Sequence, residues 1–258
     1  MKAKKSYGQH FLNNPIITEN IVEGLSFSGY KNVLEVGPGK GVLTEYLLKK
    51  DIHLKVVEAD RDMVDHLLYR FPNFAEHIVQ ADFLKINLRD IFDGESFALI
   101  GNYPYNISSQ ILFKMIEYRD LIPEMVGMFQ KEVAQRVIAP PGNKTYGVIS
   151  VLIQAYYDGD YLFDVKPGNF NPPPKVMSGV IKLTRKERTS LGCDEKLFRA
   201  VVKSAFNQRR KMLRNTLKQF LPNVDLQKED FLTKRPEKLS VDDFIEITNW
   251  ISANKYKD

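Results

Sequence analysis

A short apolar run that ends in closely spaced glycines constrains this chain more than any other feature. Residues 33–41 read Val-Leu-Glu-Val-Gly-Pro-Gly-Lys-Gly, and an amphipathic helical pattern follows over residues 42–50. This order predicts a buried strand, a tight turn and a helix. Because glycine has no Cβ, a ligand can lie directly against the backbone of such a turn. The stretch therefore predicts a binding site for a nucleoside-sized molecule at the end of the strand.

Strand and helix patterns alternate through the first two thirds of the chain. Four more strand patterns follow the first, and a proline-rich turn at 169–175 then separates two late ones at 161–165 and 176–183. This alternation predicts an α/β fold with a mostly parallel seven-stranded sheet and helices on both faces. The late pair is expected to form an antiparallel hairpin that ends the sheet. Ligands bind such sheets at the carboxyl ends of the strands.

A charged linker at residues 184–192 separates this pattern from a small, all-helical carboxyl-terminal region. We therefore predict two domains, residues 1–187 and 188–258. A continuous helix from residue 194 to 220 would turn Arg209 onto its apolar side, so a break is expected near residues 207–208. A last helix is expected to start at Ser240 and to bury Trp250 on its apolar face.

Composition excludes several classes of protein. The 258 residues carry 37 Lys and Arg against 32 Asp and Glu, and this net charge of +5 fits a polyanionic partner without requiring one. The lone cysteine, Cys193, rules out an internal disulfide framework, and the four histidines do not cluster as metal ligands do. We expect a monomeric cytoplasmic protein with no structural metal, no secretion signal and no membrane span.

Two acidic residues follow predicted strands near the glycine-rich turn. Glu58 ends the second strand, at the distance from Gly37 that is typical of a ribose-binding carboxylate. A carboxylate suits that task because it can accept hydrogen bonds from both ribose hydroxyls. Asp82 ends the third strand. The alternative for both residues is that they cap the helices that follow.

The most specific signal is Asn102-Tyr103-Pro104-Tyr105, at the end of the fourth strand. The lone pair of an exocyclic amine is delocalised into its base. The Asn102 amide oxygen and a backbone carbonyl held in place by Pro104 can accept both amino protons, which localises that lone pair and aims it at a methyl donor. Tyr105 offers a ring on which a flipped-out base can stack, a contact worth about 1–3 kcal/mol. The alternative is that Tyr105 is a core aromatic.

The chain resembles the KsgA/RsmA family of small-subunit ribosomal RNA adenine N6,N6-dimethyltransferases over almost its whole length. The segments that carry the resemblance are residues 8–12, 35–39, 58, 82–83, 102–108, 130–133, 170–176 and 208–211. It implies a Rossmann-like class I methyltransferase domain with S-adenosylmethionine as cofactor. It also implies two adjacent adenines in the 3′-terminal hairpin loop of 16S rRNA as substrate, and a role in small-subunit biogenesis.

The resemblance implies a set of cofactor-binding residues. His10 and Leu12 would line the amino-acid end, Gly37 would contribute its backbone, Glu58 would bind the ribose, Asp82 the adenine amino group, and Asn102 would lie at the methyl group. Two positions depart from the usual family pattern. His10 replaces a common asparagine and keeps a hydrogen-bonding side chain, whereas Tyr103 replaces leucine or isoleucine and leaves open how this residue packs.

The reaction needs no general base, because the protonated product amine is acidic enough to lose its proton to water. Positioning and extrusion of the base are therefore expected to account for most of the catalysis. We predict that the rings of Tyr105 and Phe170 clamp the target adenine. For Phe170 the alternative is that the proline-rich turn fixes its ring in the core.

A basic stripe runs along the predicted carboxyl-terminal helices, and the break in the helix adds two further cations. The predicted RNA-binding residues are Arg199, Lys203, Arg209, Arg210, Lys211 and Arg214. Such a stripe is usually a solvated face. In a protein that resembles an RNA enzyme, we interpret it as a surface for phosphates of small-subunit rRNA within an immature small ribosomal subunit. Lys2, Lys4 and Lys5 are expected to add a mobile basic arm.

Three other functions remain to be weighed. A related enzyme of the Erm type would act on large-subunit rRNA, although residues 172–176 and 208–211 look more like the small-subunit group. A different class is an RNA-binding assembly factor in which catalysis is secondary. An NAD-dependent oxidoreductase is disfavoured, because the glycine spacing is Gly-x-Gly-x-Gly and because nicotinamide chemistry does not explain residues 102–105.

Overall fold

The chain folds into two compact units, in a computed structural model that describes residues 9–188, 190–220 and 230–254. The first unit combines residues 1–135 with 158–185, and the second combines residues 136–157 with 186–258. The last of these segments starts at residue 186, inside the charged stretch of residues 184–192. The assignment of residues 136–157 differs from the predicted two-domain division, in which they belonged to the first domain.

Packing explains why residues 136–157 belong to the second unit. The short helix over residues 148–154 buries Ile149, Val151 and Leu152, and it packs on a helix at residues 195–207. The Tyr146 hydroxyl donates a hydrogen bond to the carbonyl of Leu239 at 2.9 Å. These contacts join segments far apart in sequence, so a division made in chain order cannot find them.

The strands and helices alternate as the sequence predicts. In chain order the strands are β1 (Phe11–Leu12), β2 (Asn32–Val36), β3 (His53–Glu58), β4 (Ile78–Gln80), β5 (Phe97–Asn102), β6 (Glu124–Gln130), β7 (Tyr157–Val165), β8 (Phe170–Asn171) and β9 (Ser178–Arg185). The helices are α1 (Pro15–Val22), α2 (Val42–Leu47), α3 (Arg61–Arg70), α4 (Ser108–Glu117), α5 (Lys131–Ile138), α6 (Val148–Gln154), α7 (Glu195–Asn207), α8 (Leu213–Leu217) and α9 (Val241–Asn254).

Seven of the strands form one sheet in the order β4-β3-β2-β5-β6-β9-β7. Strands β2 to β6 are parallel, and β9 runs antiparallel to β6. The predicted mostly parallel seven-stranded sheet is therefore confirmed. Every residue of β2 is buried, as expected of a parallel strand covered on both faces. The carboxyl ends of β2, β3 and β5 consequently meet at one edge of the sheet.

A second, two-stranded sheet holds the residues immediately before α1 in place. Strand β1 pairs antiparallel with β8, with Leu12 opposite Phe170. The Asn14 side chain then caps α1, because its Oδ1 accepts hydrogen bonds from the N–H groups of Ile16 at 3.1 Å and Ile17 at 3.2 Å. Residues 11–14 are thus held against the start of the proline-rich turn.

The predicted helix break in the second unit is confirmed. Helix α7 starts at an Asp194 cap and ends at Asn207, and α8 begins at Leu213. Trp250, expected to be buried, is only half-buried on α9, where its ring meets that of Phe231 edge to face with the centroids 5.3 Å apart. No helix among the described residues combines the length and the apolar character that crossing a membrane requires.

Candidate active site

A cavity of about 300 Å³ opens at the carboxyl ends of the central parallel strands. Its walls are formed by β2, β3 and β5, by the segments that follow β2, β3, β4 and β5, and by the segment that includes β1. The structure brings together all six residues predicted to bind a cofactor. They are His10, Leu12, Gly37, Glu58, Asp82 and Asn102.

The glycine-rich turn lets a ligand approach the backbone. Gly37, Gly39 and Gly41 have φ angles of +68°, +54° and +73°, a region that side chains rarely tolerate. A Cβ added at Gly37 would reach only Pro104 Cδ, at 4.0 Å, whereas one added at Gly39 would lie 3.1 Å from the Phe11 ring. The space beside Gly37 is therefore open to a ligand, and Gly39 is needed for packing.

Glu58 connects β3 to the glycine-rich turn. Its Oε2 accepts a hydrogen bond from the N–H of Gly39 at 3.1 Å, and its Oε1 accepts one from the N–H of Asp60 at 2.8 Å. Burial raises the pKa of this carboxyl, although both N–H groups oppose that effect. Glu58 does not cap the following helix, because Asp60 caps α3 through the N–H of Asp62 at 3.1 Å.

Asp82 lies in a turn after β4 and is half-buried. Its Oδ1 accepts the N–H of Leu84 at 3.0 Å, and its Oδ2 lies 3.6 Å from the Lys85 ammonium. Asp82 therefore has a structural role like that of a cap. It also lines the cavity beside Phe83.

The Asn102 side chain has a defined orientation. Its Nδ2 donates to the backbone carbonyl of His10 at 2.9 Å, so its Oδ1 remains as an acceptor on the other side of the amide. The carbonyl of Pro104 already accepts hydrogen bonds from the Ile107 N–H at 3.2 Å and the Ser108 hydroxyl at 3.1 Å. The Tyr103 carbonyl, which precedes the proline, receives no hydrogen bond from the described residues. Two acceptors thus remain in this turn.

Tyr105 lies half-buried beside the cavity, as the sequence predicts. Its ring stacks on the His10 imidazole, with centroids 5.6 Å apart and an angle of 27° between the planes. Its hydroxyl is hydrogen-bonded to that of Ser178 at 2.5 Å. Sequence reasoning did not find either partner, because both lie far from Tyr105 in the chain.

The structure does not bring Phe170 into the cavity. Its ring is 3% exposed and belongs to the hydrophobic core with Leu12 and Val180. The pairing of β8 with β1 directs the ring inward, which is the alternative that the proline-rich turn suggested. The predicted clamp by Phe170 is therefore corrected for this conformation. The turn reaches the site instead through Pro172, whose carbonyl lies 2.8 Å from His10 Nδ1.

Two glycines explain how Tyr103, one of the two departures from the family pattern, can pack in the core. Gly101 and Gly127 face each other across β5 and β6, and the buried Tyr103 ring lies over both of them. Phe129 packs beside it, with centroids 5.0 Å apart. The Tyr103 hydroxyl is buried without a hydrogen-bond partner among the described residues, and burial raises its pKa.

Glu35 is a buried acid in the strand that leads into the glycine-rich turn. It is 1% exposed, and burial raises its pKa to about 8, although the Thr44 hydroxyl donates to Oε2 at 2.6 Å. Glu35 also lines the cavity. An acid within an otherwise apolar parallel strand is the sequence signal that marks such a residue.

The predicted RNA-binding cations are not equivalent. Arg209 Nε lies 2.9 Å from Glu237 Oε2, and the same guanidinium donates to the carbonyl of Asn143 at 3.3 Å. The other five form no ion pair within the described residues. Four of these side chains are exposed, and that of Arg214 is half-buried. The five are Arg199, Lys203, Arg210, Lys211 and Arg214. Lys2, Lys4 and Lys5 lie outside the described residues.

Other cations that the sequence did not indicate lie on the segments around Arg209. Segments 142–144, 209–214 and 234–238 meet in the second unit, because the Gly142 N–H donates to the carbonyl of Glu237 at 2.6 Å and the Leu213 N–H to that of Lys234 at 3.1 Å. They add four exposed cations with no ion pair within the described residues, namely Lys144, Lys234, Arg235 and Lys238.

A sheet of this topology, with a glycine-rich turn after its first parallel strand and an Asn-x-Pro-Tyr turn beside the cavity, defines the chain as a class I methyltransferase. The family model of ribosomal RNA adenine dimethylases matches residues 1–253. The chain belongs to the ribosomal RNA adenine dimethylase family.

Individual relatives agree with this assignment. The ribosomal RNA small subunit methyltransferase A of Flavobacterium johnsoniae is 53% identical over 254 residues, which are 98% of this chain and 97% of that protein. A dimethyladenosine transferase from Plasmodium falciparum has a similar structure, with a TM-score of 0.81 and 26% identity, over 95% of this chain and 98% of that one. The 23S rRNA methyltransferase ErmE shares the fold, with a TM-score of 0.69 and 22% identity over 93% and 99% of the two chains.

Proposed function

We propose that this chain transfers methyl groups from S-adenosylmethionine to the N6 amino groups of two adjacent adenines in the 3′-terminal hairpin loop of small-subunit rRNA. The observation that carries the proposal is the pair of acceptors, Asn102 Oδ1 and the Tyr103 carbonyl, beside a nucleoside-sized cavity. The curated relative from Flavobacterium johnsoniae is named for the small subunit, and the resemblance specifies the adenines. This supports the small-subunit substrate over that of the Erm type.

The residues present fit S-adenosylmethionine. A cavity of about 300 Å³ is within the range of sites for small ligands, and the open backbone at Gly37 admits the amino-acid chain. Glu58 would accept hydrogen bonds from the ribose hydroxyls, and Asp82 would accept one from the adenine amino group. His10 and Leu12 would line the amino-acid end. When bound, this cofactor supplies a methyl group on a positively charged sulfonium.

Asn102 and Tyr103 would orient the target amine. If both amino protons are donated to these two oxygens, the nitrogen lone pair is no longer shared with the ring and points along the line of attack. The hydrogen bond from Asn102 Nδ2 to the His10 carbonyl prevents the amide from turning its donor toward the amine. Pro104 supports the arrangement, because it holds the preceding carbonyl in a fixed turn. The proton released after transfer passes to water.

Tyr105 would stack on the extruded adenine. Its ring is already backed by His10 and held by Ser178, so little side-chain entropy is lost when a base arrives. Phe170 is not part of this proposal, because its ring is packed in the core.

The second unit would bind RNA phosphates. Five predicted cations have no ion pair within the described residues, and four further cations lie on segments joined around Arg209. Exposed arginines and lysines without acidic partners can exchange their counterions for phosphates. The proposed partner is small-subunit rRNA within an immature small subunit, met in the cytoplasm by a monomer of this chain.

The test is transfer of labelled methyl from S-adenosylmethionine to small ribosomal subunits that lack their adenine methylation, with large subunits in parallel and with nucleoside analysis. Dimethyladenosine on the small subunit alone is the expected result. Label on the large subunit would mean that the Erm-type substrate is right. Label on neither, together with an inactive variant that still restores subunit assembly, would favour the assembly factor.

Cofactor binding is tested separately by calorimetry. Glu58→Ala should weaken the binding of S-adenosylmethionine by about tenfold or more, because the ribose loses a charged acceptor. Glu76→Ala is the control, since Glu76 is exposed and lies outside the cavity. Unchanged affinity of Glu58→Ala would leave Glu58 as a purely structural link between β3 and the glycine-rich turn.

A further inference from the structure

Lys114 is the only lysine that is buried among the described residues, and none of the roles above uses it. It lies on α4 and is 8% exposed. Its ammonium donates to the carbonyl of Ile86 at 2.5 Å and lies 5.4 Å from the centroid of the Phe83 ring. The centroid of the Tyr118 ring lies 5.7 Å from the same ammonium. These contacts offset part of the cost of removing the charge from water.

The segment that Lys114 holds forms the cavity wall beside Asp82. Residues 82–84 line the cavity. The Lys85 and Ile86 N–H groups donate back to the Asp82 carbonyl at 2.9 and 3.3 Å, so residues 82–86 form one compact turn. Lys114 binds the far end of this turn through Ile86 and its middle through the Phe83 ring.

The helix that carries Lys114 also starts just after residues 102–105, the acceptor turn, which carries Asn102 Oδ1 and the Tyr103 carbonyl. The hydroxyl of Ser108, the first residue of α4, donates to the carbonyls of Pro104 at 3.1 Å and Tyr105 at 3.2 Å. One rigid helix is therefore attached to the acceptor turn at its start and to the turn of residues 82–86 near its end. The hydrogen bond of Lys114 to the Ile86 carbonyl therefore links these two walls of the cavity through α4.

We propose that Lys114 is a positioning residue, which holds the turn of residues 82–86 at the distance from Asn102 that S-adenosylmethionine requires. This inference rests on the proposed function, which assigns the adenine end of the cofactor to Asp82. Lys114 acts through Phe83 and Ile86 and does not itself line the cavity. Asp82 and Glu117 are the acids that attract its ammonium, and they offset part of the burial that lowers its pKa.

The chain offers a matched control in Lys55. Its ammonium donates to the carbonyl of Ile91 at 2.6 Å and lies 5.2 Å from the centroid of the Phe92 ring, so it makes the same two kinds of contact. None of these three residues lines the cofactor cavity. Lys55→Met should therefore lower thermal stability much as Lys114→Met does, without affecting the cofactor.

The experiment measures the affinity for S-adenosylmethionine by calorimetry, together with separate KM values for cofactor and RNA. Lys114→Met should weaken cofactor binding about tenfold and raise the cofactor KM in proportion, whereas the RNA KM should stay within about twofold. Lys114→Arg retains a charged donor and should recover most of the affinity. Amide exchange at residues 83–86 should be faster in Lys114→Met without ligand. If Lys114→Met does not fold, Lys114→Gln is measured in its place.

Two results would overturn the inference. One is an unchanged cofactor affinity in Lys114→Met, and the other is an equal loss in Lys55→Met, which would mean that general destabilisation is the cause. Failure of the wild-type chain to bind S-adenosylmethionine would instead refute the proposed function itself.

Discussion

Adding one methyl group at Gly127 should destabilise the fold, because the methyl group would collide with the Tyr103 ring. A Cβ at residue 127 would lie 2.3 Å from Tyr103 Cε2 and 2.7 Å from Phe129 Cε2. Carbon atoms in contact are normally about 3.5–4.0 Å apart, so the Tyr103 ring would have to retreat by more than about 1 Å. The opposite edge of the ring already lies close to Gly101, where an added Cβ would be only 2.8 Å from Tyr103 Cε1. The ring therefore has little room to move away from residue 127.

We expect Gly127→Ala to cost about 2–3 kcal/mol of the free energy of unfolding, at the upper end of the range for overpacking. For a chain of this size that lowers the melting temperature by roughly 4–12 °C. Gly168→Ala is the control, because an added Cβ at residue 168 meets no atom within 4 Å and no positive φ is involved. Its effect should stay within about 0.5 kcal/mol.

A double-mutant cycle tests whether the Tyr103 ring is the cause. Tyr103→Leu removes the ring and installs the residue that is usual in the family. The double variant Gly127→Ala with Tyr103→Leu should then be more stable than the sum of the single effects predicts, by at least about 1.5 kcal/mol. Urea unfolding of the four proteins measures this coupling. Additive effects, or a Gly127→Ala variant as stable as the wild type, would refute the packing argument.

Three further predictions concern the site, the RNA surface and acid stability. Asn102→Ala should lower kcat by at least about a hundredfold while cofactor affinity changes little, and equal losses in both would contradict the methyl-site role. Arg210→Glu and Arg214→Glu should each weaken RNA binding and reduce its salt slope by about 1, unlike Lys49→Glu on the first unit. Burial opposes ionisation of Glu124, but Lys182 and the hydroxyls of Tyr30 and Ser26 outweigh it and lower its pKa. The stabilisation from Glu124 is thus lost as the pH falls below about 4, and Glu124→Gln should flatten that acid limb of the urea-unfolding profile.

The sequence predicted the sheet well because its signals are local. Parallel strands covered on both faces read as short apolar runs, and glycine or a polar residue ends each of them. Of the predicted cofactor residues, Gly37, Glu58, Asp82 and Asn102 lie at or just after the ends of such runs, whereas His10 and Leu12 were indicated only by the family resemblance. The helix break at residues 207–208 could be predicted because Arg209 cannot lie on an apolar face.

What the sequence did not predict depends on contacts between distant segments. Phe170 lies in a two-residue strand, too short for an alternating pattern to indicate which face is buried. The membership of residues 136–157 in the second unit depends on contacts such as that of Tyr146 with Leu239. The ion pair that engages Arg209 depends on Glu237, which lies 28 positions further along the chain.

The segment of residues 9–12 decides which atom of the Asn102 amide would face the target amine. The His10 carbonyl accepts from Asn102 Nδ2, and it is located by the pairing of Leu12 with Phe170. A slip of one residue in that pairing would move the carbonyl by about 3.3 Å, which is longer than the 2.9 Å hydrogen bond that it makes. The amide would then be free to turn, and its nitrogen would compete with the amine as a donor. Residues 9–12 therefore belong to the acceptor site as much as residues 102–105 do. This accounts for a sequence pattern that is not needed to form the helix α1 that follows it.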